Sequence, residues 1–168
     1  MGGSTSLVRD MRGVAMTEFA IIMPMVLALI FGIVEFGHFI AYSNAVETAA
    51  REGARYGSAV GIGPNGLLQY IDCVGIRDAS RAKINLVTIN NPDVSVTYDE
   101  GPGTGIEPYN CNSGPFPAIS DVANGGRVIV SITVAYDPLL DNLPLVGPLL
   151  NGVSVTAVDR RSIYPGNV

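Results

Sequence analysis

The sequence predicts an α+β protein. It has a long N-terminal transmembrane helix that continues into an exported head with a second helix and a small antiparallel sheet. Phe19–Val34 is a run of sixteen uncharged residues, which is typical of a membrane helix. The helical pattern goes on from Asn44 to Ser58 without proline. After Val94 the hydrophobic residues alternate with polar ones, as in strands with one buried face.

The uncharged run is long enough to provide most of a membrane span. A helix of this length covers roughly 24 Å, and its flanks extend it across the roughly 30 Å of a bilayer core. We place the span at about residues 19–42. Arg9 and Arg12 precede it, so the N-terminus is predicted to be cytoplasmic and the rest of the chain exported. Glu18 lies at the edge of the span, where an ionisable group is costly and therefore indicates a function.

Three interpretations of the N-terminus are open. The first is a plain signal anchor, in which Glu18 sits at the headgroup level. The second is a secretory signal peptide cut near Ala41–Ser43, although the apolar stretch is long for a signal and Glu35 and His38 precede that site. The third is a prepilin-type leader of residues 1–13, whose removal leaves the hydrophobic helix on the mature protein.

The residues favour the third interpretation. Cleavage after Gly13 would make Val14 the first residue of the mature chain and Glu18 its fifth. The new α-amine and a carboxylate about one helical turn away can form a charge pair that neighbouring subunits complete within a helix bundle. Because an unpaired carboxylate is penalised in apolar surroundings, this pairing can set the stagger between subunits.

The first helix is predicted to span residues 14–58 and to bend or loosen at Pro24. Ala49, Gly53 and Gly57 repeat every four residues along it, and small residues at this spacing allow close approach of another element. These three helix-packing residues contact either their own head domain, which we favour, or a neighbouring subunit.

The exported head, residues 59–168, begins with a turn-rich break. A second helix is expected between Leu67 and Val87, ended by Asn90-Asn91-Pro92. Residues 99–126 are expected to form a long loop, and the proline-broken segment 138–150 a cover over the sheet edge or on the membrane surface. The three predicted strands are Val94–Tyr98, Arg127–Tyr136 and a segment from Val153 to near Ile163.

Composition limits the classes of function. The chain has 168 residues, only 15% of them charged, and a net charge of −5 without basic clusters, which excludes nucleic-acid binding. Cys73 and Cys111 both fall in the exported part, where an oxidising compartment favours a disulfide between them. A metal-binding pair is the alternative, but no third cysteine or histidine accompanies them.

Catalysis and cofactors are not expected. The one histidine, His38, lies on the predicted membrane helix, so the head cannot contain a Ser-His-Asp or Cys-His arrangement. Segment 101–106 lacks the Lys and Ser/Thr of a phosphate-binding loop. Asp99, Glu100 and Glu107 supply oxygen ligands of the kind calcium prefers, but a solvated loop face is the better interpretation of their spacing.

The chain resembles the TadE-like family, minor pilin-like proteins (pseudopilins) of Tad, or Flp-type, pilus systems. The resemblance rests on Arg12-Gly13 before Glu18-Phe19-Ala20, on Pro24 in the span, on AAREGARYG at 49–57, and on the late segments VIVSITVAYDPL and VSVTAVDRRS. It implies that Gly13 ends the leader, that Val14 starts the mature chain, and that Glu18, followed by the aromatic Phe19, is the carboxylate that sets subunit registry.

The resemblance also implies partners and a location. We expect a prepilin peptidase, other Tad minor pilins, the major Flp pilin and an inner-membrane assembly platform as partners, with oligomers formed through the N-terminal helix. The chain would be a single-pass inner-membrane protein with a periplasmic or extracellular pilin-like head. The exported part is large for a major Flp pilin, which indicates a minor subunit. The alternative is a signal-anchored binding domain that enters no filament.

Overall fold

The computed structural model describes residues 6–82, 84, 86–101, 109–110, 126–142 and 152–164. The chain divides into two compact units, Met1–Phe39 and Ile40–Val168. The second unit combines helices with an antiparallel sheet, so the predicted α+β class is confirmed.

The first helix, α1, runs from Ser6 to Gly57, a length of 52 residues. It begins before Val14, inside the predicted leader, so the proposed cleavage boundary does not coincide with a change in secondary structure. The helix continues through Pro24 without interruption. Its end at Gly57 lies within one residue of the predicted limit.

The second helix is shorter than predicted. A single 3-10 turn, Gln69–Ile71, precedes α2, which covers only Cys73–Arg81. Residues 84 and 86–90 lie outside any helix. Val87 and Ile89 are buried while Leu86 and Thr88 are exposed, so this apolar segment follows the period of an extended chain.

Among the described residues, four antiparallel strands form one sheet. They are β1, Val94–Asp99; β2, Tyr109–Asn110; β3, Arg127–Ala135; and β4, Ser154–Ser162. Their order in the sheet is β2-β1-β3-β4. The three predicted strands are present, and the two-residue strand β2 lies inside the segment expected to be a loop. Residues 143–150 of the predicted cover lie outside the described residues.

The core of the second unit lies between one face of the sheet and the helices. Every second residue of β1 and β3 is buried, and α1 contributes the buried side chains of Tyr42, Val46 and Ala54. The Tyr42 hydroxyl donates a hydrogen bond of 2.7 Å to the carbonyl of Ala135, and its ring meets the Tyr136 ring edge-on at 5.2 Å. These contacts fix α1 against the end of β3.

Candidate functional site

The N-terminal part of α1 presents an apolar surface on the outside of the molecule. Between Val14 and Phe36 most large hydrophobic side chains are exposed, for example Phe19 at 63% and Ile21 at 70%. Within the described residues, α1 is the one helix whose length and composition would allow it to cross a membrane. Such a surface is unfavourable in water, so this segment needs lipid or other helices around it.

The predicted processing residues lie at the start of this apolar segment. Gly13, Val14 and Glu18 all lie on α1, and Val14 and Glu18 are both exposed. The Thr17 hydroxyl donates a hydrogen bond of 2.8 Å to the carbonyl of Val14, which ties the first turn of the proposed mature helix together. Glu18 and Phe19 therefore stand on the outer surface of the helix, where a neighbouring chain can reach them.

The three small residues at 49–57 pack against the head. Ala49, Gly53 and Gly57 are all buried. A side chain on Gly53 would overlap the Ser80 hydroxyl of α2 and come within 3.2 Å of Val130 Cγ1 on β3. These contacts favour packing within the chain's own head over contact with a neighbouring subunit.

The opposite face of the same helical segment is charged and exposed. Arg51 pairs with Glu47, and Arg55 pairs with Glu52 at 2.8 Å. The exposed fractions of the Glu47 and Arg51 side chains are 52% and 61%, so this pair contributes little to stability. This part of α1 is thus amphipathic, with one small-residue face on the sheet and one solvated face.

A buried carboxylate that the sequence pattern did not reveal connects α1 to α2. Asp72 is only 1% exposed and caps α2 by accepting the backbone N–H of Gly75 at 2.9 Å. It also accepts the Tyr56 hydroxyl at 3.0 Å and the Asn65 amide at 3.2 Å. We call Tyr56, Asn65, Asp72 and Gly75 the Asp72 cluster. A helix-capping aspartate before an apolar stretch was the available signal, but nothing in the sequence indicated its tertiary partners.

The Asp72 cluster raises the pKa of its own tyrosine hydroxyl. Burial raises the pKa of the Tyr56 hydroxyl above its ordinary value, and the hydrogen bond to Asp72 raises it further. The phenol therefore stays protonated as a donor, which the buried carboxylate requires. The cluster is a structural connection rather than a reactive site.

Of the acidic residues considered for calcium, Asp99 is paired with an arginine. Asp99 accepts two hydrogen bonds from Arg127, at 2.7 Å from Nε and 2.5 Å from the terminal nitrogen. The hydrogen bond from Arg127 lowers the pKa of the Asp99 carboxyl. Glu100 is exposed, and Glu107 lies outside the described residues. Among the described residues, no group of three or more potential metal ligands occurs.

Of the two cysteines of the predicted disulfide, only Cys73 belongs to the described residues. Cys73 is buried at the first residue of α2, with 3% of its surface exposed. Cys111 lies outside the described residues, so the pairing of these cysteines stays a prediction.

The one histidine of the chain, His38, lies on α1 and is half-buried. It is far in sequence from the strands of the head.

Comparison with known proteins identifies the N-terminal helix. The model of the family described as TadE-like protein matches residues 13–55, about a quarter of the chain. This confirms the resemblance over the N-terminal helix, whereas the late segments VIVSITVAYDPL and VSVTAVDRRS lie outside the match. No curated protein and no solved structure matches the chain. The matched segment begins at Gly13 and ends within the amphipathic part of α1.

Proposed function

We propose that this chain is a minor pilin, or pseudopilin, that acts structurally in the assembly of a Tad pilus or in adhesion through it. The observation that carries the proposal is the TadE-like match, which starts at Gly13 and covers the exposed apolar helix together with Glu18. The head is the part of the chain beyond this match, and it provides the bulk that distinguishes a minor subunit from a helix-only filament subunit.

In the proposed pathway, a prepilin peptidase removes residues 1–13 on the cytoplasmic side of the inner membrane. The α-amine of Val14 then lies about one helical turn from the Glu18 carboxylate, on the exposed surface of α1. A neighbouring helix in the inner-membrane assembly platform or the filament pairs with these charges. Pairing removes the cost of an isolated charge in an apolar environment and sets the axial position of the subunit.

The exported head is held to the end of the same helix. The small face of α1, the Tyr42 hydrogen bond and the Asp72 cluster all connect this helix to α2 and the sheet. Insertion of the apolar part of α1 beside other Tad minor pilins or the major Flp pilin would therefore bring a folded head with it. No step of this function requires a reaction at the head.

Replacement of Glu18 by alanine separates the filament subunit from the signal-anchored binding domain. For a filament subunit, Glu18→Ala protein should accumulate in the membrane at normal levels but fail to enter pili, because its registry charge is absent. Glu47→Ala is the matched control, since it removes an exposed carboxylate of the same helix outside the apolar segment. Pilus number and subunit content are measured by microscopy and immunoblot of sheared pili. Normal assembly with Glu18→Ala would favour the anchored binding domain.

A further inference from the structure

Within the described residues, strand β4 lies at one edge of the sheet. It is nine residues long and pairs one-to-one with β3 from Ser154–Ala135 to Ser162–Arg127, without a bulge. Among the described strands, none pairs with its other edge. Natural proteins commonly protect such an edge by shortness, proline, a bulge or charged side chains. Strand β4, whose sequence is SVTAVDRRS, is nine residues long without proline or a bulge, but it carries Asp159, Arg160 and Arg161. These charges disfavour a like-charged edge and favour a partner strand of complementary charge.

The hydrogen-bonding pattern shows which backbone groups point away from the sheet. The N–H of Tyr136 bonds to the carbonyl of Val153, and the N–H of Ile163 bonds to the carbonyl of Gly126. Hydrogen-bonded and non-hydrogen-bonded pairs alternate along antiparallel strands, so the odd-numbered residues of β4 bond to β3. The even-numbered residues direct both backbone groups outward. They are Ser154, Thr156, Val158, Arg160 and Ser162.

The side chains at this edge define the chemistry that suits a partner. Four of the five residues that direct their backbone groups outward are exposed, including Val158 at 43% exposure. Asp159 and Arg161 lie on the other side of the strand and pair with each other at 3.1 Å. The exposed Arg160 lies on the same face of the strand as the exposed Val158. An added strand would meet Arg160 with an acidic residue and Val158 with an apolar one.

We propose that β4 is a docking edge for an extended peptide segment of a partner protein, which adds a strand to the sheet and places an acidic side chain opposite Arg160. Only an extended chain has backbone groups at the spacing that the outward N–H and C=O groups require. The choice of a separate segment over a second copy rests on the proposed function, in which subunits share one direction, whereas peptide binding to β4 is measured independently of pilus assembly.

A second copy of the chain is a poorer fit than a separate extended segment. Tyr42 of α1 contacts Ala135 of β3, and Gly57, further along α1, lies next to Val128, which comes earlier in β3. This part of α1 therefore runs antiparallel to β3. A symmetric pair of β4 edges would turn these two helical segments in opposite directions. Subunits that share one direction in an assembly cannot adopt that arrangement.

The test uses the full chain in detergent micelles and two synthetic peptides of strand length. Both peptides alternate threonine and valine. One carries glutamate at the position that faces Arg160 in antiparallel pairing, and the other carries lysine there. We expect saturable binding of the glutamate peptide and roughly 3- to 10-fold weaker binding of the lysine peptide, because opposed like charges are unfavourable. Arg160→Glu should reverse this preference without changing the backbone.

Backbone variants and hydrogen exchange locate the contact. Val158→Pro removes one outward N–H and leaves the pairs with β3 intact, so it should weaken peptide binding at least about 10-fold. Val158→Thr keeps the N–H and should bind normally. In the free protein the amides of Thr156, Val158 and Arg160 should exchange faster than those of Val155 and Ala157, and peptide should slow them selectively.

Several results would overturn the proposal. Outward amides already protected in the free chain at all concentrations would mean that the chain covers its own edge. Protection that rises with protein concentration would mean that a second copy covers it. Absence of peptide binding, or binding unaffected by Val158→Pro and Arg160→Glu, would show that β4 is not a docking edge.

Discussion

Removal of the Asp72 carboxylate should strongly destabilise the head. The carboxylate is buried and receives hydrogen bonds from the Gly75 amide, the Tyr56 hydroxyl and the Asn65 amide. Loss of a helix N-cap costs about 1 kcal/mol, and each hydrogen bond to a charged group contributes about 1.5–3 kcal/mol. These terms are coupled, and Asp72→Ala should therefore lower the free energy of unfolding by about 3–4 kcal/mol.

The assay is urea unfolding of the full chain in micelles, followed by near-ultraviolet circular dichroism of the head tyrosines. Asp78→Ala is the matched control, because Asp78 lies on the same helix but its side chain is 65% exposed. It should cost less than about 0.5 kcal/mol. Asp72→Asn keeps one acceptor and should fall between the two. Equal effects of Asp72→Ala and Asp78→Ala would refute the role assigned to the Asp72 cluster.

Three further predictions concern packing and ionisation. Gly53→Val should destabilise the head by about 2 kcal/mol or more, because a side chain there overlaps Ser80, whereas Gly37→Ala, with no atom near its Cβ, should be nearly neutral in the same unfolding assay. Arg127→Ala should raise the pKa of Asp99, because the hydrogen bond from Arg127 lowers it, and carboxyl NMR titration measures this change. In the parent protein, Asp99 contributes its full stabilisation above its ordinary pKa of 3.8. This contribution is lost as the pH falls through the lower pKa of the folded state. Burial raises the pKa of the Tyr98 phenol above its ordinary value of 10.0. Its contribution to stability is therefore complete below pH 10.0 and is lost as the pH rises towards the pKa of the folded state. Phenolate absorbance from Tyr98 should appear only with unfolding.

The sequence predicted the elements whose hydrophobic pattern has a single period. The alternation in Arg127–Ala135 and Ser154–Ser162 identified both long strands, since each has one buried and one accessible face. The uncharged run identified the apolar part of α1, because an apolar stretch of this length is typical of a membrane helix. These strands and this helix therefore form where their hydrophobic patterns predicted them.

The remaining features depend on contacts between distant residues. The apolar residues at 84–87 suggested that α2 continues, whereas the helix ends at Arg81 and Val87 is buried in an extended segment. In the Asp72 cluster, the hydrogen bond from Tyr56 to Asp72 joins residues 16 positions apart, and no local pattern encodes that juxtaposition. Strand β2 pairs with β1 through only two residues, too few for a periodic signal. The outward groups of β4 became apparent only from its register with β3.

The mature N-terminus is the most direct test of the proposed function. The protein is expressed in a host that has the prepilin peptidase, purified from membranes, and analysed by intact mass and terminal sequencing. The proposal predicts a chain that starts at Val14, and a bulky replacement of Gly13 should leave the leader attached. A start at Met1 would indicate an uncleaved anchor, and a start at Asn44 a released domain; either would contradict the pilin interpretation.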